Sequence, residues 1–273
     1  MTRSRTETVL GHALLILGAI VALYPMVAIL GQALTPSLTS ENAGEDFTFE
    51  NFVTAWTGGG FSRSLISSAI VAIAVVLVTG ACSMLAGYAL SALRLPLRAG
   101  FLALLMVGLV LPAEARIIPL YEMFSGWGLL NTYWALILPQ VASSFPLATF
   151  WMTNYFASLP RALPEAAAMD GANSWQSLRH IYAPLGMSAL ATLSCLVFLY
   201  TWNEFLLALV LVPDDPGVQT APLSLSFFAG NERNTQPEVV AAAAVLVALP
   251  VVIAYALLQR RFMAGLLEGT VKE

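Results

Sequence analysis

Six long apolar stretches, separated by shorter polar segments, dominate the pattern of hydrophobic and polar positions along this chain. A helix needs about 20 mostly apolar residues to cross the hydrocarbon core of a membrane, which is about 30 Å thick. The stretches meet this length, so the pattern predicts six transmembrane helices. They cover residues 9–34, 65–92, 99–124, 131–156, 185–212 and 239–258.

The composition supports this interpretation. Hydrophobic residues make up 58% of the chain and charged residues only 10%, and the mean hydropathy is +0.78. Soluble domains usually carry about 25% charged residues. We therefore expect an all-α, multi-pass protein of the cell membrane that is surrounded by lipid and has no nucleic-acid partner.

Positive charges are distributed unevenly between the predicted loops. If the amino terminus is cytoplasmic, nine of the 12 Lys and Arg residues lie on the cytoplasmic side and three outside. The nine are Arg3, Arg5, Arg94, Arg98, Arg161, Arg179, Arg260, Arg261 and Lys272; the three are Arg63, Arg116 and Arg233. Cytoplasmic loops are enriched in Lys and Arg, so the asymmetry predicts that both termini are cytoplasmic, as is the loop at 157–184.

The loop at 157–184 contains signals for two short helices. Pro164 is suited to a first helical turn, and Gly171 is suited to a left-handed helix stop, so we expect one helix at 164–170 and a second at 173–182. A helix of about seven residues is too short to be stable alone and must be held by packing or by a partner. The alanines that follow Glu165 permit close approach, and Met169 supplies an adaptable apolar contact. These features predict a docking element.

The spacing of this element resembles the cytoplasmic loop of the membrane subunits of ABC importers, which fits a groove on the ATPase subunit. The usual pattern has Leu where Ala183 stands. The resemblance implies that 157–184 is an ATPase-coupling loop, which we call the coupling loop. The residues it assigns to this role are Glu165, Ala166, Ala167, Met169, Asp170, Gly171, Ile181 and Pro184. Glu165 has an equally weighted alternative role as a carboxylate favoured by the helix dipole.

Further short matches extend the resemblance over nearly the whole chain, to the smaller permease of maltose-type oligosaccharide importers. The tail departs from the usual ending at Leu267, Glu268 and Glu273. The matching segments are Asn51-Phe52, Ala86-Gly87-Tyr88-Ala89-Leu90, Ile118-Pro119-Leu120-Tyr121, Gly128-Leu129-Leu130-Asn131-Thr132, Trp202-Asn203-Glu204-Phe205, Gly265-Leu266 and Gly269-Thr270-Val271-Lys272.

This resemblance implies a type I ABC importer permease fold, with residues 1–273 forming one transmembrane domain. Within it, 9–34 is the first helix and 65–260 is a core of five helices. The implied function is the import of a di- or oligosaccharide by alternating access. The implied partners are a second, related permease in a heterodimer, an ATPase dimer that binds ATP and Mg, and an extracytoplasmic sugar-binding protein.

The chain itself has no residues for ATP chemistry or metal binding. Its only lysine is Lys272, so it lacks a phosphate-binding GxxxxGK[ST] loop, and its two histidines, His12 and His180, cannot form an HExxH zinc site. Cys82 and Cys195 both lie in apolar stretches and suggest neither a disulfide nor a metal site. We therefore expect a translocation subunit that is not an enzyme and binds no cofactor.

Polar residues inside the apolar stretches suggest a substrate path. Glu114 and Arg116 interrupt the third stretch, and Pro139 and Pro146 are expected to interrupt the fourth. Interrupted spans with polar residues at mid-membrane often line a transport pathway. The candidates are Gln140, Ser143, Ser144, Tyr200, Asn203 and Glu204.

These residues also have structural interpretations. Glu204 could bond to neighbouring helices, and Gln140 with the two serines could bond helices to each other. Glu114 and Arg116 could satisfy each other as an interfacial pair. A different function, an ion- or proton-coupled secondary carrier, would require Glu204 to carry the proton, because an intramembrane acid is the usual relay.

Overall fold

In the computed structural model, the described residues are 5–36, 47–93, 95–112, 114–160, 162–230 and 236–268. Within these ranges the α-helices, in chain order, are α1 Arg5–Leu34, α2 Glu50–Thr57, α3 Phe61–Ala92, α4 Arg98–Val110, α5 Ile117–Gly126, α6 Tyr133–Ser158, α7 Ala162–Met169, α8 Ser174–Ser177, α9 Ala183–Trp202, α10 Leu206–Leu211, α11 Ala221–Gly230 and α12 Pro237–Glu268.

The all-helical membrane architecture is confirmed. Five helices are long and apolar enough to cross a membrane, and a sixth span results if Arg98–Val110 and Glu114–Gly126, which are bent by 96°, are counted together. The cytoplasmic location of both termini stays a prediction. Part of its charge argument, and the tail match at 269–272, lie outside the described residues; the charges concerned are Arg3, Arg94, Arg161, Arg233 and Lys272.

The expectation that prolines interrupt the fourth span is wrong. Helix α6 runs without a break from Tyr133 to Ser158 and contains both Pro139 and Pro146. A proline in a transmembrane helix is tolerated when side chains and neighbouring helices satisfy the freed backbone groups. Here Ser143 Oγ donates to the Pro139 carbonyl at 2.7 Å.

The fifth span is shorter than predicted, because α9 ends at Trp202 and not at residue 212. The side-chain amide of Asn203 donates to the Leu199 carbonyl at 2.8 Å, which competes with the continuing backbone ladder. Glu204 Oε1 then accepts the Leu207 N–H at 2.9 Å and so satisfies a free donor in the first turn of the separate helix α10, whose N-cap residue is Phe205. The apolar residues after the break therefore form a new helix.

The chain divides into two compact units, and the prediction of one domain over 1–273 stays a prediction. The first unit comprises Met1–Ser62 with Ser224–Leu249. Within it, the buried side chain of Asn51 donates to the Ala33 carbonyl at 2.9 Å and to the Thr35 carbonyl at 2.8 Å. These bonds satisfy the open carbonyl end of α1 and attach α2 to it.

The second unit comprises Arg63–Leu223 with Pro250–Glu273. Its central helix is α6, which packs against α4, α9 and α10. The core of this unit includes the fully buried side chains of Leu136, Met152 and Leu193.

Glycines allow the helices of the second unit to approach closely. A Cβ atom at Gly87 of α3 would lie 2.6 Å from Met152 Cβ and 3.0 Å from the Met152 carbonyl carbon in α6. A Cβ atom at Gly186 of α9 would lie 2.8 Å from the Phe156 ring. Small residues at such contacts are typical of membrane helix packing, where tight van der Waals contact holds helices together.

We predict that Gly87→Ala destabilises the protein, because α3 and α6 must separate to admit the methyl group. Overpacking of this kind costs about 1–3 kcal/mol. The variant should lose its monodisperse gel-filtration peak in detergent at a lower temperature than the wild type.

Gly100→Ala in α4 is the matched control, since nothing lies within 4 Å of the added atom. It should melt at the wild-type temperature or slightly above, because alanine favours a helix more than glycine does. Equal melting of Gly87→Ala and the wild type would contradict the close approach.

Candidate functional site

The first helix of the coupling loop ends in a Schellman motif. Gly171 has a φ of +74°. Its N–H donates to the Ala168 carbonyl at 3.1 Å, and the Ala172 N–H donates to the Ala167 carbonyl at 2.9 Å. This pair of bonds is the one that a left-handed residue after a helix permits. The predicted stop at Gly171 is confirmed, although the helix begins at Ala162 and not at residue 164.

The second helix of the coupling loop is not separate from the fifth span. Asn173 and Gln176 form a capping box, in which the Asn173 Oδ1 accepts the Gln176 N–H at 2.9 Å and the Gln176 Oε1 accepts the Asn173 N–H at 2.8 Å. From there α8 passes into a π-helix at Leu178–Tyr182, which continues into α9. The boundary predicted at residue 184 is therefore absent, and the second half of the loop continues as a helix into a membrane span.

The surface of the coupling loop is well exposed. Met169 is 89% exposed and Trp175 is 62% exposed. Of the other predicted residues, Ala167 is buried and Ile181 is half-buried, while the remainder are exposed: Glu165, Ala166, Asp170, Gly171 and Pro184. Trp175 was not among the predicted residues, although a large aromatic side chain in a polar loop is a recognisable signal of a contact surface.

An open groove of about 480 Å³ runs along the coupling loop between its two helices. It brings together Ala166, Ala167, Asp170, Gly171 and Ile181, and it does not include Glu165, Met169 or Pro184. The rest of its lining is Leu163, Ala172, Gln176 and His180.

A second cavity, of about 320 Å³, lies among α4, α5, α6, α9 and α10. Its lining includes all the substrate-path candidates except Asn203: Gln140, Ser143, Ser144, Tyr200 and Glu204. Asn203 is exposed and donates to its own helix. Glu114 and Arg116, at the bend between α4 and α5, also line the cavity. Their position at a broken span was the signal that could have included them.

Polar contacts of the cavity centre on Arg116. Its Nη1 donates to Ser143 Oγ of α6 at 3.1 Å. The sequence had also allowed Arg116 to pair with Glu114, and that alternative did not include this contact with α6. Among the described residues, the buried Nε of Arg116 and the buried hydroxyl of Thr201 have no hydrogen-bond partner. Glu204 contributes a carboxylate, and Tyr200, an aromatic residue, is 67% exposed. Donors, acceptors and an aromatic face together suit a hydroxyl-rich small molecule.

These features describe a multi-span membrane protein with an exposed loop and a polar cavity, and comparison with known proteins gives the family. Residues 80–266 match the family described as "Binding-protein-dependent transport system inner membrane component". The chain belongs to this family. It is therefore a multi-pass inner-membrane permease subunit of an ABC importer and not an enzyme.

Three relatives show the extent of the similarity. The chain is 31% identical to the trehalose transport system permease protein SugB of Mycobacterium tuberculosis, over 92% of this chain and 93% of that protein. It is 34% identical to the sn-glycerol-3-phosphate transport system permease protein UgpE of Salmonella typhi, over 97% and 98%. A crystal structure of a bacterial ABC transporter involved in alginate import includes a chain with 26% identity and a TM-score of 0.78, covering 96% of this chain and 99% of that one.

We predict that Gly171→Val reduces transport about tenfold, because a β-branched residue in the left-handed region costs about 1–2 kcal/mol and misdirects the capped helix that follows. Membrane insertion should be normal. Uptake into liposomes by the assembled transporter, divided by the amount of inserted protein, measures the effect.

Gly171→Asn is the matched control, because asparagine adopts the left-handed conformation far more readily than valine. It should retain most of the transport activity. Wild-type uptake by the valine variant would show that the Schellman turn does not position the loop for function.

Proposed function

We propose that this chain is one of two permease subunits of an ATP-driven importer that moves a di- or oligosaccharide into the cytoplasm by alternating access. The observation that carries the proposal is the continuity of the coupling loop with α9. Near the other end of that helix, Tyr200 and Thr201 line the polar cavity. One element thus joins a docking surface to a candidate substrate site.

The proposed partners follow from the family and from the surface of the coupling loop. The family is named for its dependence on a binding protein, which in this proposal is an extracytoplasmic sugar-binding protein. A second, related permease would complete a heterodimer in the membrane. An ATPase dimer, which holds ATP and Mg, would receive the coupling loop in its own groove. The exposed Met169 side chain suits such a contact, since methionine adapts to the surface it meets.

The proposed mechanism uses the coupling loop as a lever. Closure of the ATPase dimer around ATP would displace the loop, and α6 and α9, which lead into and out of it, would tilt with it. Because α6 packs directly against α9, the two helices would move together and change the side on which the cavity opens.

Chemistry at the cavity supports a carbohydrate as the substrate class. Trehalose and alginate, which appear in the names of the relatives, carry several hydroxyl groups on each sugar unit or pair of units. The guanidinium of Arg116 and the carboxylate of Glu204 both line the cavity, where the first can donate to such hydroxyls and the second can accept from them. The exposed residue Tyr200 offers an aromatic face on which a sugar can stack.

A proton-coupled carrier is less well supported. Its candidate relay, Glu204, already accepts the Leu207 N–H in the first turn of α10, a role that needs no proton exchange. A proton-coupled carrier would also leave the exposed coupling loop without a function.

We predict that the coupling loop is cytoplasmic, from the nine-to-three distribution of Lys and Arg. Alkaline phosphatase, which is active only outside the cytoplasm, should be inactive when fused after Gly171 and active when fused after Asp214. The reverse pattern would refute the orientation and the docking of the loop on an ATPase.

We predict that Glu204→Gln retains most of the transport activity, because the amide oxygen can still accept the Leu207 N–H and a hydroxyl group of the substrate. The complete transporter in liposomes, supplied with its binding protein, should take up labelled trehalose or an alginate oligosaccharide only with ATP.

Collapse of the proton gradient at constant ATP serves as the control and should leave uptake unchanged. Uptake that follows the gradient, ignores ATP and disappears in Glu204→Gln would replace the importer with the proton-coupled carrier.

A further inference from the structure

Tyr88, near the end of α3, contacts Ser174, which precedes the π-helix that joins the coupling loop to α9, and Tyr182, the last residue of that π-helix. Its side chain is only 6% exposed. The hydroxyl donates to the Ser174 carbonyl at 2.8 Å. Ser174 is the first residue of α8, so this bond lies before the π-helix Leu178–Tyr182.

The ring of Tyr88 makes the second contact, at the far end of the π-helix. It meets the Tyr182 ring edge-on, with ring centroids 4.8 Å apart. Tyr182 in turn meets the ring of Phe156, from α6, at 5.4 Å. Tyr182 and Phe156 are 5% and 3% exposed, so the three rings form a buried cluster. Edge-to-face pairs of this kind stabilise packing beyond simple burial of area.

The π-helix is an irregular segment in the path from the coupling loop to α9. Its hydrogen bonds span five residues, as shown by the Ala183 N–H donating to the Leu178 carbonyl. Such segments are rare, they are frequent at functional sites, and they are among the places where helices bend sharply. Displacement of the coupling loop would be absorbed by bending here unless the two sides of the π-helix were held to a common support.

We propose that Tyr88 is a positioning residue that braces this π-helix, so that the coupling loop and α9 move as one body. The inference rests on the proposed function of the coupling loop. Helix α3 is a suitable support because Gly87, next to Tyr88, packs directly on Met152 of α6.

Tyr88→Phe removes the bond to Ser174 and keeps the ring. The Ser174 carbonyl still accepts the Leu178 N–H, so the substitution leaves no buried acceptor unpaired and should not unfold the protein. Tyr133→Phe is the control, because the Tyr133 hydroxyl also donates to a backbone carbonyl, that of Gly217, at 3.2 Å, and it bonds to Ser67 Oγ at 3.0 Å near the opposite end of α3. The Gly217 carbonyl keeps the Ser67 hydroxyl as a donor, at 3.0 Å, when the Tyr133 hydroxyl is removed.

The first experiment measures the stiffness of the π-helix in the assembled transporter. Spin labels would be placed at Trp175 and Met187, which are both exposed and lie on either side of the π-helix. The two positions are 12 residues apart, or about 18 Å along a helix. The background carries Cys82→Ala and Cys195→Ala. We expect a narrow distance distribution in the wild type and in Tyr133→Phe, and a broader one in Tyr88→Phe.

The second experiment measures coupling as the uptake of labelled trehalose or an alginate oligosaccharide per ATP hydrolysed. Tyr88→Phe should keep its ATPase subunits and its ATP hydrolysis, while uptake per ATP falls about fivefold, the effect of one lost hydrogen bond. Tyr133→Phe should keep the wild-type ratio.

The proposal that Tyr88 braces the π-helix would be overturned if Tyr88→Phe had the distance distribution of the wild type, or its ratio of uptake to ATP hydrolysis. Failure of Tyr88→Phe to assemble, while Tyr133→Phe assembles, would also overturn it by assigning the hydroxyl to folding. Absence of ATP-dependent uptake in the wild type would instead refute the proposed function, and the distance measurement would still decide whether Tyr88 stiffens the segment.

Discussion

The need to satisfy every backbone N–H and C=O group within the hydrocarbon core governs this structure. Unbroken helices meet that need, and a break is tolerated only where protein or a polar cavity surrounds it. The second unit has two breaks in its apolar stretches, one between α4 and α5 and one after Trp202. Residues at both breaks, Glu114 and Glu204, line the same cavity. Irregular backbone is therefore tolerated at the cavity, and polar side chains converge there as well.

Hydropathy predicts the spans of this chain well because burial in lipid depends on the length of an apolar stretch, which composition shows directly. It does not show where a helix stops inside such a stretch. The break after Trp202 was missed because residues 206–211 are as apolar as a span, and the hydrogen bonds of Asn203 and Glu204 end one helix and begin the next. The opposite error occurred in α6, where the prolines suggested a break that the helix does not have.

The candidate sites were predictable to the extent that single residues have special requirements. Gly171 was identified because few other residues adopt a positive φ, and Gln140 because a polar residue in an apolar stretch needs a reason. The bond between Arg116 and Ser143 could not be predicted, since it depends on how α5 meets α6. The π-helix could not be predicted either, because a shift of one residue in hydrogen bonding leaves no compositional pattern.

Transmission of motion through this fold requires stiffness at some contacts and freedom at others. Glycines at α3 and α9 bring three helices into direct contact around Met152 and Phe156, where close-packed side chains cannot deform gradually. The coupling loop is attached to this core by two routes, through α6 on one side and through the π-helix on the other. A displacement applied to the loop must then move both helices or bend the weaker route. On the α6 side the helix ends at Ser158 and Leu159 is extended, whereas on the α9 side the helix continues through the π-helix. The transmission of a displacement of the loop to the core would therefore depend on how firmly the π-helical route is held.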